Sequence, residues 1–164
     1  MANDRTNMVS LLDIGLLTGS TGKLVVMGKG YSEITEDWGP NTEQKQYVDM
    51  KSASNTVKGY SFSMNPSRDY MSDEMQEAID TLFKTFPTGE QCNTYYYRFY
   101  KTDIKDKSGD CIRIPVTVCP SSTGGAGGDT LTSSLQINGN GEVELGTVTI
   151  GSDGEFTWAP KASE

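Results

Sequence analysis

Apolar side chains recur at helical spacing in only one stretch of this chain. A single helix is therefore predicted, and the fold is expected to be mainly β. The apolar side chains are Met71, Met75, Ala78, Ile79, Leu82, Phe83 and Phe86, three or four residues apart. Ser72 is a candidate N-cap, and Pro87-Thr88-Gly89 predicts the end of the helix. Elsewhere, short alternating runs lie between clusters of Gly, Pro, Asn and Asp, a pattern typical of antiparallel strands. We therefore predict a β-sandwich or partly closed barrel of antiparallel strands, flanked by one α-helix.

The predicted strands are short. They span Leu24–Met27, Tyr31–Thr35, Gln46–Lys51, Thr56–Met64, Thr94–Lys101, Cys111–Cys119, Thr130–Ile137, Glu142–Ile150 and Phe156–Trp158. Alternation is strict in Cys111–Cys119, but Pro115 places that strand at an edge or a bulge. Asn138-Gly139-Asn140-Gly141 predicts a hairpin turn, and Gly146 predicts a β-bulge in the strand that follows.

One domain accounts for the whole chain, because 164 residues can bury about two-thirds of their unfolded surface in a single core. Residues 1–22 are assigned to an N-terminal arm, although Met8–Leu17 is equally consistent with a first strand. The glycine-rich residues 120–129 predict a flexible loop, and residues 159–164 predict a loose tail.

Composition excludes several classes of function. The net charge of −8 disfavours nucleic-acid binding by phosphate neutralisation, which requires clustered Lys and Arg. The chain has no His, so Ser-His and Cys-His nucleophiles and His-bearing metal sites are excluded. Its three Cys cannot supply a four-thiolate zinc site, and they fit a reducing compartment better than a disulfide framework. No signal peptide or membrane-spanning run is evident. We expect no enzymatic activity and no cofactor.

Two motifs resemble ligand sites but lack essential residues. Gly19–Lys23 suggests a phosphate-binding loop, yet Leu17 stands where its first Gly belongs and Leu24 where the magnesium-binding hydroxyl belongs. The aspartates of Asp103–Asp110 lack the ligand spacing of a calcium loop. Both segments are interpreted as solvated loops.

The stretch from Trp38 to Met64 predicts contacts with other copies of the chain. Its two predicted strands have half-polar faces, and unpaired strand edges are templates for pairing with another chain. The polar segment 36–47, with its Gly-Pro turn, is assigned to an inter-subunit loop. The residues expected in contact are Trp38, Pro40, Asn41, Glu43, Lys45 and Tyr47. Trp38 belongs to a residue type enriched at interface anchors.

Three parts of the chain resemble the major tail tube protein of long-tailed (siphovirus-type) bacteriophages of Gram-positive hosts. They are GPNTEQKQYVDMKSASNTVKGYSFSM, DEMQEAIDTLFKT, and INGNGEVELGTVTI with the following FTW. The resemblance spans roughly Tyr31 to Trp158. It implies a virion protein, made in the host cytoplasm, that forms six-fold rings stacked into a hollow tube. Its partners would be copies of itself and the tape-measure, distal tail and tail terminator proteins, with DNA passing through the lumen and no contact with a membrane.

An acidic lumen would repel phosphate and let DNA slide. Val143 and Leu145 are predicted to face the core, ahead of the bulge at Gly146, so Glu142 and Glu144 share the opposite face. We therefore expect Asp49, Glu142 and Glu144 to face the lumen, unless these acids lie on the outer wall and affect only solubility. The alternative function is a monomeric β-sandwich that binds glycan or peptide through tyrosines. Those tyrosines are Tyr95, Tyr96, Tyr97 and Tyr100.

Overall fold

Antiparallel strands make up most of the computed structural model, which describes residues 4–17 and 22–161. In chain order the strands are β1 (Met8–Asp13), β2 (Leu24–Val26), β3 (Asn41–Lys45), β4 (Ser54–Gly59), β5 (Ser63–Met64), β6 (Ser67–Asp69), β7 (Asn93–Tyr100), β8 (Ser108–Gly124), β9 (Thr132–Gly139), β10 (Glu144–Ile150) and β11 (Phe156–Pro160). The α-helices are α1 (Ile14–Leu17) and α2 (Glu74–Thr85), and short 3-10 helices span Arg5–Asn7, Gly89–Cys92 and Lys101–Asp103. The predicted mainly β fold with a flanking helix is confirmed.

A partly closed barrel forms the main part of the fold. Nine strands share one sheet, in which β11, β10, β8, β7, β1 and β2 are neighbours in that order. Strand β11 comes close to β2, so the sheet curls until its two ends nearly meet. Strand β9 pairs with the second half of β8 and carries β5 and β6 on its other edge.

Both faces of the sheet are packed, because side chains alternate along its strands. Inside the barrel lie Leu11, Tyr97, Phe99, Cys111 and Val148. The outer face carries a larger core against which α2 packs, including Leu12, Tyr96, Ile114, Val116, Val118, Leu135 and Ile137. Strand β7 shows the alternation that the sequence predicts, since Tyr96 belongs to the outer core and Tyr97 and Phe99 to the inner one.

Helix α2 buries most of the predicted apolar stripe. Met75, Ala78, Ile79 and Leu82 are each at most 3% exposed. Asp73, not Ser72, is the N-cap, because its carboxylate accepts the backbone N–H of Gln76. Phe86 does not join the stripe. It is the C-cap, with a left-handed φ of 46°, and its ring points into solvent.

Pro115 lies in the middle of β8, not at an edge. On one side β8 pairs with β7 without interruption from 111 to 117. On the other side it pairs with β10 from 108 to 113 and with β9 from 116 to 124. Pro115 has no backbone N–H to donate. It lies where the pairing with β10 has ended and the pairing with β9 has not begun. A bulge does occur in β8, but later, between Pro120 and Ser122.

The predicted hairpin at residues 138–141 is wrong. Strands β9 and β10 do not pair with each other, because both run antiparallel to β8 along the same edge. Residues 140–143 cross the gap opposite Pro115, whose carbonyl accepts the N–H of Asn140 at 2.8 Å. The Asn-Gly pattern marks the break between β9 and β10, which lie one after the other along the same edge of β8. The hairpins of this region are β8–β9 and β10–β11.

The bulge predicted at Gly146 is absent, since β10 and β8 pair without a register shift from Glu144 to Thr149. A Cβ at Gly146 would overlap the Trp158 indole and the Ala159 carbonyl. Because Val148 is buried, unbroken alternation places Gly146 and Glu144 on its face and Leu145 on the opposite face. The inward placement of Leu145 is wrong, as its side chain is 64% exposed.

Three terminal and loop predictions also change. Met8–Asp13 is an interior strand of the sheet between β2 and β7, which confirms the alternative of a first strand over an N-terminal arm for these residues. Residues 120–124 continue β8 and pair with β9, which leaves 125–131 as the turn. Residues 159–160 pair with β10 and are not loose. Part of the Gly19–Lys23 loop, the first three residues and the last three lie outside the described residues.

Candidate assembly interface

Strands β3 and β4 form a two-stranded hairpin that pairs with none of the described strands of the main sheet. Its residues are exposed or half-buried throughout. The prediction that Gln46–Lys51 is the first strand is wrong, because β3 spans Asn41–Lys45 and the chain turns after it. No core contact sets this register. Polar cross-strand pairs accompany it, chiefly the ion pair between Glu43 and Lys58, whose atoms Oε2 and Nζ lie 2.7 Å apart.

Large apolar side chains of the hairpin project into solvent. At its tip, Val48 is 109% exposed relative to an extended chain, and Tyr47 is 59% exposed. Val57 on β4 and Tyr60 just beyond it are also more than half exposed. Isolated exposed apolar residues are common, but several on one projecting element indicate a contact surface. We call Tyr47 and Val48 the hairpin tip.

A buried carboxylate holds the base of the hairpin. The side chain of Glu36 is 4% exposed. Its Oε1 accepts from Trp38 Nε1 at 3.2 Å and from Arg98 Nη1 at 2.9 Å. Its Oε2 accepts from the hydroxyl of Tyr96 at 2.9 Å, and that hydroxyl also contacts Ser10 Oγ at 2.8 Å. Glu36 thus joins the hairpin base to β7 and β1. No pattern in the sequence indicates this role, since Glu36 stands in a polar turn.

Aromatic packing reinforces the base. The Trp38 ring lies 4.8 Å from that of Phe62, which lies 5.6 Å from that of Tyr96, measured between centroids. Backbone hydrogen bonds pair Asp37 with Ser63, and Ser61 donates to the Trp38 carbonyl. The segments at the two ends of the hairpin, residues 37–38 and 61–63, are therefore hydrogen-bonded to each other.

The predicted contact residues separate into two groups. Trp38 is half-buried against its own chain, so it anchors the hairpin base and is not a free contact side chain. The others lie exposed or half-buried on the hairpin, on the turn that leads into it, or at its tip. They are Pro40, Asn41, Glu43, Lys45 and Tyr47.

The predicted lumen acids do not share one face. Asp49 is exposed beside the hairpin tip, whereas Glu142 lies beside the hairpin base. Glu144 forms an ion pair with Arg113, whose guanidinium stacks over Trp158 at 4.1 Å. The predicted position of Glu144 opposite the core face is wrong, because β10 has no bulge.

Buried tyrosines rule out the aromatic platform of the alternative function. Tyr96 is fully buried and Tyr97 is 5% exposed, so neither can stack on a sugar. Burial raises the pKa of Tyr97 to about 12, and it raises the pKa of Tyr96 further. Tyr95 packs against the inner core beneath Arg113. Of the four, Tyr100 alone is exposed, at 39%.

Two hollows flank the body. A groove of about 690 Å³ lies at the hairpin base and includes Trp38, Tyr60 and Glu142. A cavity of about 730 Å³ opens at the other end of β10, where the seam between β2 and β11 exposes the inner core. We call this second hollow the barrel-mouth cavity. Its apolar lining includes Val9, Val26, Met27, Ile34, Phe99 and Phe156.

Other kinds of site find little support in the described chain. Residues 4–17 and 22–161 contain no group of three or more Cys, Asp or Glu placed to hold a metal ion. Neither α1 nor α2 has the length and hydropathy of a membrane span.

Comparisons with known proteins concern the fold. No protein-family model matches the sequence, and no curated protein matches it either. Among solved structures, the chain is similar to a subunit in the tail of an empty gene transfer agent particle, refined with C6 symmetry. The TM-score is 0.60 at 14% identity, over 88% of this chain and 98% of that one. The chain shares the fold of that tail subunit.

Two further structures share this tail-protein fold. A chain in the virion of a native gene transfer agent particle gives a TM-score of 0.58 at 11% identity, over 88% of this chain and 98% of that one. A chain in the sheath/tube terminator of an extracellular contractile injection system gives 0.52 at 6% identity, over 88% and 96%.

Proposed function

We propose that the protein is a structural, non-enzymatic subunit of a phage-type tail tube, built from hexameric rings that stack through copies of the β3–β4 hairpin. The observation that carries this proposal is the hairpin itself, which projects from a tail-protein fold with its apolar tip in solvent. A monomer gains nothing from such an element, whereas a neighbouring subunit can bury it.

The resemblance to tail tube proteins of siphovirus-type phages extends this proposal to partners. The ends of the tube meet the distal tail and tail terminator proteins, and the lumen encloses the tape-measure protein before DNA passes. The net charge of −8 suits a conduit, because a like-charged wall does not trap phosphate. Of the predicted lumen acids we retain Glu142, whose carboxylate forms no ion pair within residues 4–17 and 22–161, unlike that of Glu144.

Negative-stain electron microscopy of the purified protein tests the proposal. We expect rings or tubes of uniform diameter, if necessary after addition of the other tail proteins. A variant in which a short Gly-Ser linker replaces residues 41–59 should remain a folded monomer, judged by circular dichroism and gel filtration, but should not polymerise. As a control, the turn at residues 125–129 is replaced in the same way, and assembly should be normal.

Two results would count against this function. A wild-type protein that stays monomeric with all its tail partners present would refute the tail tube assignment. Normal tubes from the variant without the hairpin would show that another surface joins the subunits.

A further inference from the structure

We propose that the hairpin tip of one copy inserts into the barrel-mouth cavity of a second copy. This inference rests on the proposed function and identifies the surface that receives the hairpin. The two sites belong to the same chain but lie apart, and no residue of the hairpin lines the cavity of its own copy.

The tip has the chemistry of an inserting group. Tyr47 and Val48 are adjacent, apolar and largely exposed, and they lie at the turn of an element without a core of its own. Burial of a Val side chain is favourable, and an exposed aromatic residue brings a larger apolar area. The tip therefore favours any apolar hollow that it can reach.

The barrel-mouth cavity has the chemistry of a receptor. Val9 and Phe156 are half-buried against the inner core, and Val26 on the edge strand β2 is 41% exposed. The opening has a volume of about 730 Å³ and lies on the seam that the curled sheet leaves open. An inserted tip would cover the exposed part of the inner core.

Charge at the rim favours this occupant. In a chain of net charge −8, the cavity carries two cations, Arg5 and Lys101, and one anion, Glu33. Asp49 directly follows the hairpin tip and is exposed. Insertion of Tyr47 and Val48 brings this carboxylate to the basic rim, where opposite charges attract.

The positions of the two sites allow an open-ended contact. Glu142 and Val143, just before β10, line the groove at the hairpin base, whereas Ile150 at the end of β10 lines the cavity. Seven strand residues span about 20 Å. A two-fold dimer would fill both pairs of sites reciprocally and end there, whereas copies stacked in one direction fill them one after another. Such a head-to-tail contact continues from copy to copy, as stacking of rings requires.

Directed disulfide formation tests the contact. Cys119 is first replaced by Ser, since Cys92 and Cys111 are buried. One preparation then carries Val48→Cys and a second carries Val26→Cys. After mixing, assembly and mild oxidation, we expect a covalent dimer that neither preparation gives alone. The matched control pairs Val57→Cys, a valine on β4 away from the tip, with Val26→Cys and should give no dimer.

Charge reversal provides an independent measurement. Asp49→Lys should abolish most of the covalent dimer, because Lys then meets Arg5 and Lys101. Lys101→Glu in the receiving copy should restore the yield. Asp49→Lys lies on an exposed loop, so circular dichroism should show an unchanged fold.

The outcomes distinguish this inference from the function on which it rests. Tubes that form normally while Val48→Cys and Val26→Cys give no more dimer than the control would overturn the inference and leave the proposed function standing. If no variant and no wild type assembles, the proposed function fails and this contact with it.

Discussion

The indole Nε1–H of Trp38 donates a hydrogen bond of 3.2 Å to Oε1 of Glu36, two residues earlier in the chain. The same oxygen accepts from Arg98, so the hairpin base and the sheet share one buried carboxylate. In a proposed assembly of this kind, the direction of the hairpin decides whether its tip meets a neighbour. Glu36 is therefore a positioning residue for the interface.

Glu36→Gln should loosen this base. An amide offers one acceptor oxygen in place of two and leaves the mostly buried Arg98 guanidinium without its counter-charge. We expect a loss of about 2–4 kcal/mol in the free energy of unfolding, measured by urea titration. The matched control is Glu33→Gln, since the carboxylate of Glu33 is exposed and contacts Thr35. Equal midpoints for Glu36→Gln and wild type would contradict the role of this carboxylate.

Helix α2 should depend on its buried leucine. Leu82→Ala removes a side chain that is 1% exposed and should cost about 2–5 kcal/mol. Leu82→Asp should unfold the domain, because an unpaired buried carboxylate costs several kcal/mol. Leu145→Ala is the same chemical change at a 64% exposed site and should stay within about 0.5 kcal/mol. Coincident thermal melts for Leu82→Ala and Leu145→Ala would show that α2 is not packed as described.

Gly146 should tolerate no side chain. Its added Cβ would overlap the Trp158 ring, so Gly146→Ala should cost about 1–3 kcal/mol or more and change the fluorescence of Trp158. Gly127→Ala places the same methyl group in open space and should leave both stability and fluorescence unchanged. An unchanged spectrum for Gly146→Ala would be inconsistent with this packing.

Alkaline pH should destabilise the fold through its buried tyrosines. Burial raises the pKa of Tyr31 and of Tyr97 from 10.0 to about 12. Between pH 10 and 12 the unfolded chain therefore loses these protons while the folded chain keeps them, and stability falls as pH rises. Each group contributes a slope of about 1.4 kcal/mol per pH unit in this window.

The measurement is the urea midpoint as a function of pH. Tyr97→Phe should flatten the decline between pH 10 and 12. Identical slopes for wild type and Tyr97→Phe would mean that Tyr97 is not shielded from water.

Charge reversal at Glu142 tests the proposed lumen. Tubes of Glu142→Lys should assemble yet retain DNA, and retention should fall steeply as salt rises. Glu155→Lys makes the same change in the turn between β10 and β11, and it should leave ejection unaffected. Normal ejection by phage carrying Glu142→Lys, without salt-sensitive retention, would place Glu142 on the outer wall.

Local patterns predicted much of the fold. The apolar stripe of α2 and the alternation of β7 could be predicted, because burial of one face makes apolar residues recur with the period of the helix or strand. The exact bounds of the hairpin strands could not be predicted, because β3 and β4 are exposed or half-buried and only polar pairs accompany their register. The proposal that this hairpin is an interface rests on the same lack of a core, together with the family resemblance.

Relations between distant strands were beyond such patterns. An Asn-Gly sequence marks a turn of the backbone, but which strand lies opposite depends on the middle of β8 around Pro115, more than 20 residues earlier in the chain. Pro115 illustrates the same limit, since its position is tolerated through a gap between two partners that appear later in the chain. The role of Glu36 depends on Tyr96 and Arg98, which reach it only after folding.

The gap opposite Pro115 also has a mechanical consequence. A sheet bends most easily where the fewest hydrogen bonds between strands must stretch, and along β8 that place lies between its pairing with β10 and its pairing with β9. The β9 half also pairs with the segment beside the hairpin base, and the β10 half ends at the barrel-mouth cavity. Flexing at Pro115 would let each subunit lengthen on the outside of a curve and shorten on the inside. The proposed tube would then bend within its subunits and not at the contacts between them.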